Sequence, residues 1–177
     1  PKFFHPDPTV KRQSGFLKPN LGGTTALGNS VHTPYFYAIA DDKDMTIKPK
    51  FYDDGKVVLQ SEYRQKTKSS YSIADFSITT GHDSSPNDKG DTRSHFFSKT
   101  LMNLNFDNFL RSNLEIQYQK ASNDTYLKVF DLESPLLLED NSVLESIIKL
   151  NLEKEDYNFN IFVEQFETLD GANTDRY

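Results

Sequence analysis

Met45-Thr46-Ile47-Lys48-Pro49-Lys50-Phe51-Tyr52 is followed by Asp53-Asp54-Gly55 and then by Lys56-Val57-Val58-Leu59-Gln60-Ser61-Glu62-Tyr63-Arg64. The first run alternates, with Met45, Ile47, Pro49 and Phe51 on one face and Thr46, Lys48, Lys50 and Tyr52 on the other. After the break, Val57, Leu59, Ser61 and Tyr63 oppose Lys56, Val58, Gln60, Glu62 and Arg64. A period of two is the strand period, and an Asp-Asp-Gly break between two such runs is a turn signal. The stretch therefore predicts an antiparallel hairpin.

The same period continues downstream in residues 73–78, 96–106, 110–119, 144–153 and 157–164, and residues 34–40 form an earlier apolar run. About eight strands result, mostly of about 9–11 residues, the length that crosses a bilayer when tilted. From the second strand onward, the apolar faces carry no charged residue. Lys48, Lys50, Lys56, Glu62, Arg64, Asp75, Lys99, Arg111, Glu115, Glu145, Lys149, Glu153 and Glu164 all fall on the opposite faces. A membrane barrel requires this, because a charge facing lipid at mid-depth costs roughly 2–4 kcal/mol while the lumen tolerates it. A soluble sandwich with one wet face also alternates, but it does not need a charge-free face on every strand. Short links alternate with long ones (81–93 and 123–141), which predicts an up-and-down meander rather than a Greek key. The Pro- and Gly-rich residues 1–30 read as irregular.

Composition excludes several classes. The 177 residues carry 20 Lys and Arg against 26 Asp and Glu, a formal net charge of −6. That balance argues against nucleic acid, which selects a basic face. There is no Cys, hence no disulfide framework, thiolate zinc site or Cys nucleophile. No run approaches the ~18 apolar residues of a membrane helix. The opening at Pro1 without Met reads as an excised segment whose export signal lay upstream.

Candidate chemistry is sparse. His5, His32, His82 and His95 lack ligand spacing and read as loop histidines, so no metal is expected. Residues 83–91 lack the Gly and closing Glu of an EF-hand and read as a solvated loop. Asn123-Asp124-Thr125 fits a glycosylation acceptor, a short pattern with many false matches. No Ser or Thr sits in a nucleophile-elbow context, and no cofactor is expected. The residues give no enzyme.

The most distinctive string is His5-Pro6-Asp7-Pro8-Thr9-Val10-Lys11-Arg12-Gln13-Ser14-Gly15-Phe16-Leu17-Lys18-Pro19. With Pro34-Tyr35-Phe36-Tyr37-Ala38-Ile39-Ala40, Asp44-Met45-Thr46-Ile47-Lys48-Pro49, Glu62-Tyr63-Arg64, Asn123-Asp124-Thr125-Tyr126-Leu127 and Asp175-Arg176-Tyr177, it resembles the LPS-assembly (LptD, organic solvent tolerance) family. The resemblance implies an all-β chain, a partial arc of a large outer-membrane β-barrel. Residues 1–30 would be the junction from a periplasmic domain, and 31–177 the first barrel strands. It further implies a lipopolysaccharide translocon with an LptE-like lipoprotein plug and an LptA-like periplasmic bridge. The barrel's closing strand would lie beyond Tyr177.

In that family prolines in the first two strands weaken a lateral gate, and Pro34 and Pro49 match them. Proline has no N–H, so each removes one possible ladder bond. On the residues alone, edge punctuation is the better reading of both. Lys48, Lys50 and Arg64 would line the lumen as lipopolysaccharide contacts, although ordinary lumen solvation accounts for them equally well. A porin-like channel shares the strands but leaves the proline-rich leader unexplained. If the first strand runs outward, both long connections fall on the periplasmic side, against the general rule that long loops lie outside. Either they fold against the lumen or the periplasmic domain, or a strand is missing from the count.

Overall fold

The computed structural model describes residues 12–80, 92–137 and 142–169. Among them one open antiparallel sheet of eleven strands forms. Three short strands come first: β1 (Gly15–Phe16), β2 (Asn20–Thr24) and β3 (Gly28–His32). Then follow β4 (Tyr35–Ala40), β5 (Lys43–Tyr52), β6 (Val57–Lys66) and β7 (Ser70–Thr80). The last four are β8 (Thr92–Asn103), β9 (Arg111–Ala121), β10 (Val143–Glu153) and β11 (Asn158–Thr168). From β4 to β11 each strand pairs with the next in sequence, the expected meander.

Local chemistry fixes the turns. Gly55 takes φ +85°, which only glycine adopts without strain, and its N–H donates to the Tyr52 carbonyl at 3.0 Å. The Thr67 hydroxyl accepts the N–H groups of Ser69 and Ser70 and so bends β6 into β7.

The register aligns the faces that the alternation separates. Met102, Leu114, Leu150 and Ile161 stand in one cross-strand row. Met45, Tyr63, Ala74, Ser98 and Tyr118 form another on that side. Phe51, Ile78, Phe96, Ile116 and Ile161 leave this outer face exposed. Lys120, near the end of β9, stands opposite Phe96 on that side and is matched by Glu167 at 2.6 Å. The other face carries the row Lys48, Gln60, Ser77, His95 and Ala121.

That charged inner face is the buried one, because the connection between β9 and β10 lies on it. Within that connection a single helical turn, α1 (Tyr126–Val129), brings Tyr126, Leu127, Phe130 and Leu132 against Leu27, Tyr52, Val58 and Phe97. The connection therefore folds back against the inner face of the sheet. The 81–91 connection, the motif residues 5–11 and 175–177, His5 and His82 lie outside the described residues.

Four details differ from the sequence expectation. Residues 15–32 contain three short strands where irregular chain was expected. Strand β8 stops at Asn103 rather than continuing to 106. Asn105 takes φ +50°, and the Asn103 side chain accepts its N–H at 3.0 Å. His32 and His95 lie in strands, not loops. Finally, Leu144 joins the buried cluster although it alternates with the outer-face residues of β10. The regular β9–β10 pairing ends at Gln117 and Ile147, and side chains replace the ladder beyond it. There Glu145 N–H donates to Gln119 Oε1 at 2.8 Å, and Gln119 N–H to Ser146 Oγ at 3.2 Å.

Candidate functional site

Strands β3 and β4 are two halves of one path along β5, broken at Thr33-Pro34. Val31 pairs with Phe51 on one side of the break, and Tyr35 with Ile47 on the other. Continuing the register puts Thr33 opposite Pro49. Thr33 N–H donates to the Pro49 carbonyl at 3.2 Å, and Pro49 has no N–H to return. Pro49 therefore deletes one bond to β5 at the break where β3 gives way to β4.

Pro34 acts on the opposite edge. Its carbonyl accepts Leu17 N–H at 2.8 Å, beside β1, where Gly15 and Phe16 pair with Phe36 and Tyr35. In an antiparallel ladder a residue exchanges N–H and C=O with the same neighbour. The ring of Pro34 thus stands where the return bond to Leu17 would form, on the outer edge of the first long strand. The two prolines weaken two different pairings at the same level of the sheet.

Lys48, Lys50 and Arg64 all lie on the inner face, with different partners. Lys48 Nζ meets Glu62 Oε2 at 2.8 Å. Arg64 Nε meets Asp44 Oδ1 at 2.9 Å and Glu62 Oε1 at 3.6 Å, and Arg12 also pairs with Asp44. Three cations meet two carboxylates in this partly open network, beside the exposed Asp41, Asp42 and Lys66. Lys50 is 6% exposed, and its ammonium donates to the carbonyls of Phe130 at 3.0 Å and Asp131 at 2.6 Å. In this arrangement Lys50 holds the end of α1 and presents no open cation. The Tyr52 hydroxyl donates to the same Phe130 carbonyl.

A second set of polar groups holds the start of α1. Tyr126 Oη lies 2.7 Å from Ser77 Oγ, which lies 2.6 Å from His95 Nδ1. Burial pushes the Tyr126 phenol up to about 12, so it remains a neutral hydroxyl at ordinary pH. His95 Nε2 stands 3.6 Å from Asp75 Oδ2, beyond hydrogen-bonding range. Gln60 Nε2 donates to the Asp75 carboxylate at 3.0 Å and to the Glu133 carbonyl at 2.9 Å.

Ser77, His95 and Asp75 line up superficially like a nucleophile, a base and its orienting acid. Asp75 is fully buried, His95 and Ser77 are nearly so, and Tyr126 caps the Ser77 hydroxyl. No substrate reaches them in this arrangement; the array fastens α1 to the sheet. Asn123 has a local role, since its side-chain oxygen accepts both the Thr125 N–H at 2.9 Å and the Thr125 hydroxyl at 2.7 Å.

Sequence reasoning singled out Lys50, but not the carbonyls it serves, and it passed over Tyr52, Ser77, His95 and Tyr126 as a set. The available signal was weak: Asp75 and Ser77 on the inner face of one predicted strand, with His95 one residue before the start of the next. The register that joins them is set across the sheet.

No family profile matches the chain. It is similar to the LPS-assembly protein LptD of Pseudoalteromonas translucida, 29% identical over 160 residues, which cover 90% of this chain and 20% of the relative. For the LPS-assembly protein LptD of Pseudomonas aeruginosa strain UCBPP-PA14 the figures are 31% over 129 residues, 70% and 13%. For that of Psychrobacter arcticus they are 29% over 164 residues, 92% and 17%. The chain spans a fifth or less of the length of these curated relatives. Similarity over most of the chain supports membership of the LPS-assembly protein family.

Proposed function

We propose that this chain is the first part of the barrel of an outer-membrane LPS-assembly protein, and that Pro34 and Pro49 loosen its lateral gate. The whole protein would deliver lipopolysaccharide to the outer leaflet, working with an LptE-like lipoprotein plug and fed by an LptA-like periplasmic bridge. The outer face meets the lipid, and the inner face, with Lys48 and Arg64, lines the passage. Their ammonium and guanidinium groups offer cations to the phosphate and acidic sugar groups of the substrate. With β4 running outward from the periplasm, the connection bearing α1 lies at the periplasmic mouth of the lumen.

One observation carries this reading: the ring of Pro34 lies on the outer edge of the first long strand. That is the edge a closing strand must pair with to complete a barrel. Pro34 also directly follows Thr33, the residue that stands opposite Pro49, so the two prolines fall at one level of the sheet.

The test replaces both prolines with Thr in the full-length parent protein. Each restored bond contributes about 0.5–1.5 kcal/mol, so the pair shifts a gate equilibrium by up to roughly a hundredfold. Surface lipopolysaccharide should fall and the lipid accumulate on the periplasmic side, while heat-modifiable gel mobility reports an intact barrel. Undiminished delivery through an intact barrel would sink the gate.

A further inference from the structure

The outer edge of β4 already has a partner. Gly15 and Phe16 pair with Phe36 and Tyr35, Leu17 N–H reaches the Pro34 carbonyl at 2.8 Å, and Ala38 N–H reaches Ser14 Oγ at 2.9 Å. A barrel that begins at β4 must offer this same row of groups to its closing strand. Only one strand can occupy it. We propose that β1 is an exchangeable cover strand, which caps the edge of β4 while the seam is open and yields it when the closing strand returns. This rests on the gate reading above and names what occupies the gate edge between closures.

Three features suit β1 to that role. It is short, with two ladder residues, so releasing it breaks few bonds. Its outward side chain is hardly held, since Phe16 is 80% exposed and touches Tyr35 edge-on at 5.1 Å. Its tether is short: Arg12, three residues before β1, pairs with Asp44 at the start of β5 and lies over the Phe36 ring at 5.4 Å. A released β1 therefore remains close to the edge it left. An unpaired edge leaves backbone donors and acceptors unsatisfied and invites mispairing, which a local cover prevents. Pro34 loosens either occupant of that edge, because each forfeits the bond its ring excludes.

The test is a reversible lock. Phe16 and Tyr35 face each other in a non-hydrogen-bonded pair, where opposing Cβ atoms approach closest. Phe16→Cys and Tyr35→Cys are introduced together into the full-length parent protein. The assembled protein is kept reduced, its barrel verified by heat-modifiable mobility, and then oxidised. A reductant-sensitive mobility shift should appear, and Leu17→Pro, which removes the donor to Pro34, should lower its yield several-fold. With the lock closed, cells should become at least several-fold more sensitive to vancomycin, a solute too large for intact outer membranes, and reductant should restore resistance. Absence of the cross-link would overturn the placement of β1. A cross-link without any permeability change would overturn the competition, because the closing strand would then pair elsewhere. Neither result bears on the gate itself, which the proline replacements read through lipid delivery.

Discussion

Thr33 donates its N–H to Pro49, and Pro49 cannot answer. On one side of this half-made pair, β3 is fastened to β5. Asp53 N–H donates to the Asn29 carbonyl at 2.9 Å, and Asn29 donates through its backbone N–H and side chain to Asp53 Oδ2 at 3.1 and 2.8 Å. Leu27 is buried under α1. On the other side, β4 contributes no buried residue, and its ladder with β5 is irregular between Ala38 and Ala40. The weak step separates a clamped half from a loose half.

Pro49→Thr alone should therefore strengthen the boundary without touching the outer edge. One restored bond of about 0.5–1.5 kcal/mol corresponds to a roughly two- to twelvefold shift towards the paired state. Amide hydrogen exchange at Tyr35 and Tyr37 in the assembled parent protein should slow by that factor. Unchanged exchange would show that the step does not limit opening of β4.

Fastening of α1 should be separable from barrel integrity. Leu127→Ala removes a buried side chain at a cost of about 2–5 kcal/mol, and Lys50→Met leaves the Asp131 carbonyl short of a donor at about 1–3 kcal/mol. Either change should speed tryptic cleavage after the exposed Lys128 by about tenfold or more, because cleavage reads local opening. Heat-modifiable mobility should stay normal. Equal cleavage rates in variant and parent would contradict the contacts at the end of α1.

Tyr126 gives the connection a pH limit. Its phenol titrates at about 12 when folded, against 10.0 when free, because burial disfavours the phenolate. The folded value is the higher one, so its contribution is complete below pH 10. It is lost as pH rises through 12. Absorbance near 295 nm should show a late-titrating tyrosine that Tyr126→Phe abolishes. A difference spectrum with a midpoint near 10 would place Tyr126 in water.

The two faces predict opposite responses to the same new charge. Ile116 is exposed at the middle of β9 on the outer face, where an Arg at mid-membrane costs about 2–4 kcal/mol. Asn113, three positions earlier on the inner face, should accept Arg with a far smaller loss. The amount of heat-modifiable barrel recovered from outer membranes is the measurement. Equal recovery of Ile116→Arg and Asn113→Arg would remove the membrane assignment of the outer face.

The sequence by itself determined the strands and their faces. Alternation is a local signal: Met45 to Tyr52 and Val57 to Arg64 declare their two sides within a few residues, and Asp53-Asp54-Gly55 declares the turn. It also determined that Pro34 and Pro49 each lack a donor. Only the tertiary structure decided which pairing each proline weakens, because that depends on the neighbour facing its nitrogen. Pairing also explains why residues read as irregular became strands: β1 lies beside β4, β3 beside β5, and β2 beside β3. The placement of α1 was least legible. Lys50 meets Phe130 across eighty positions of sequence, and Ser77 meets Tyr126 across forty-nine. Neither Lys50 nor Ser77 differs in its local pattern from an ordinary inner-face residue. Their roles arise because folding the connection inward exposes backbone carbonyls and a phenol to the sheet, and buried polar groups must find partners.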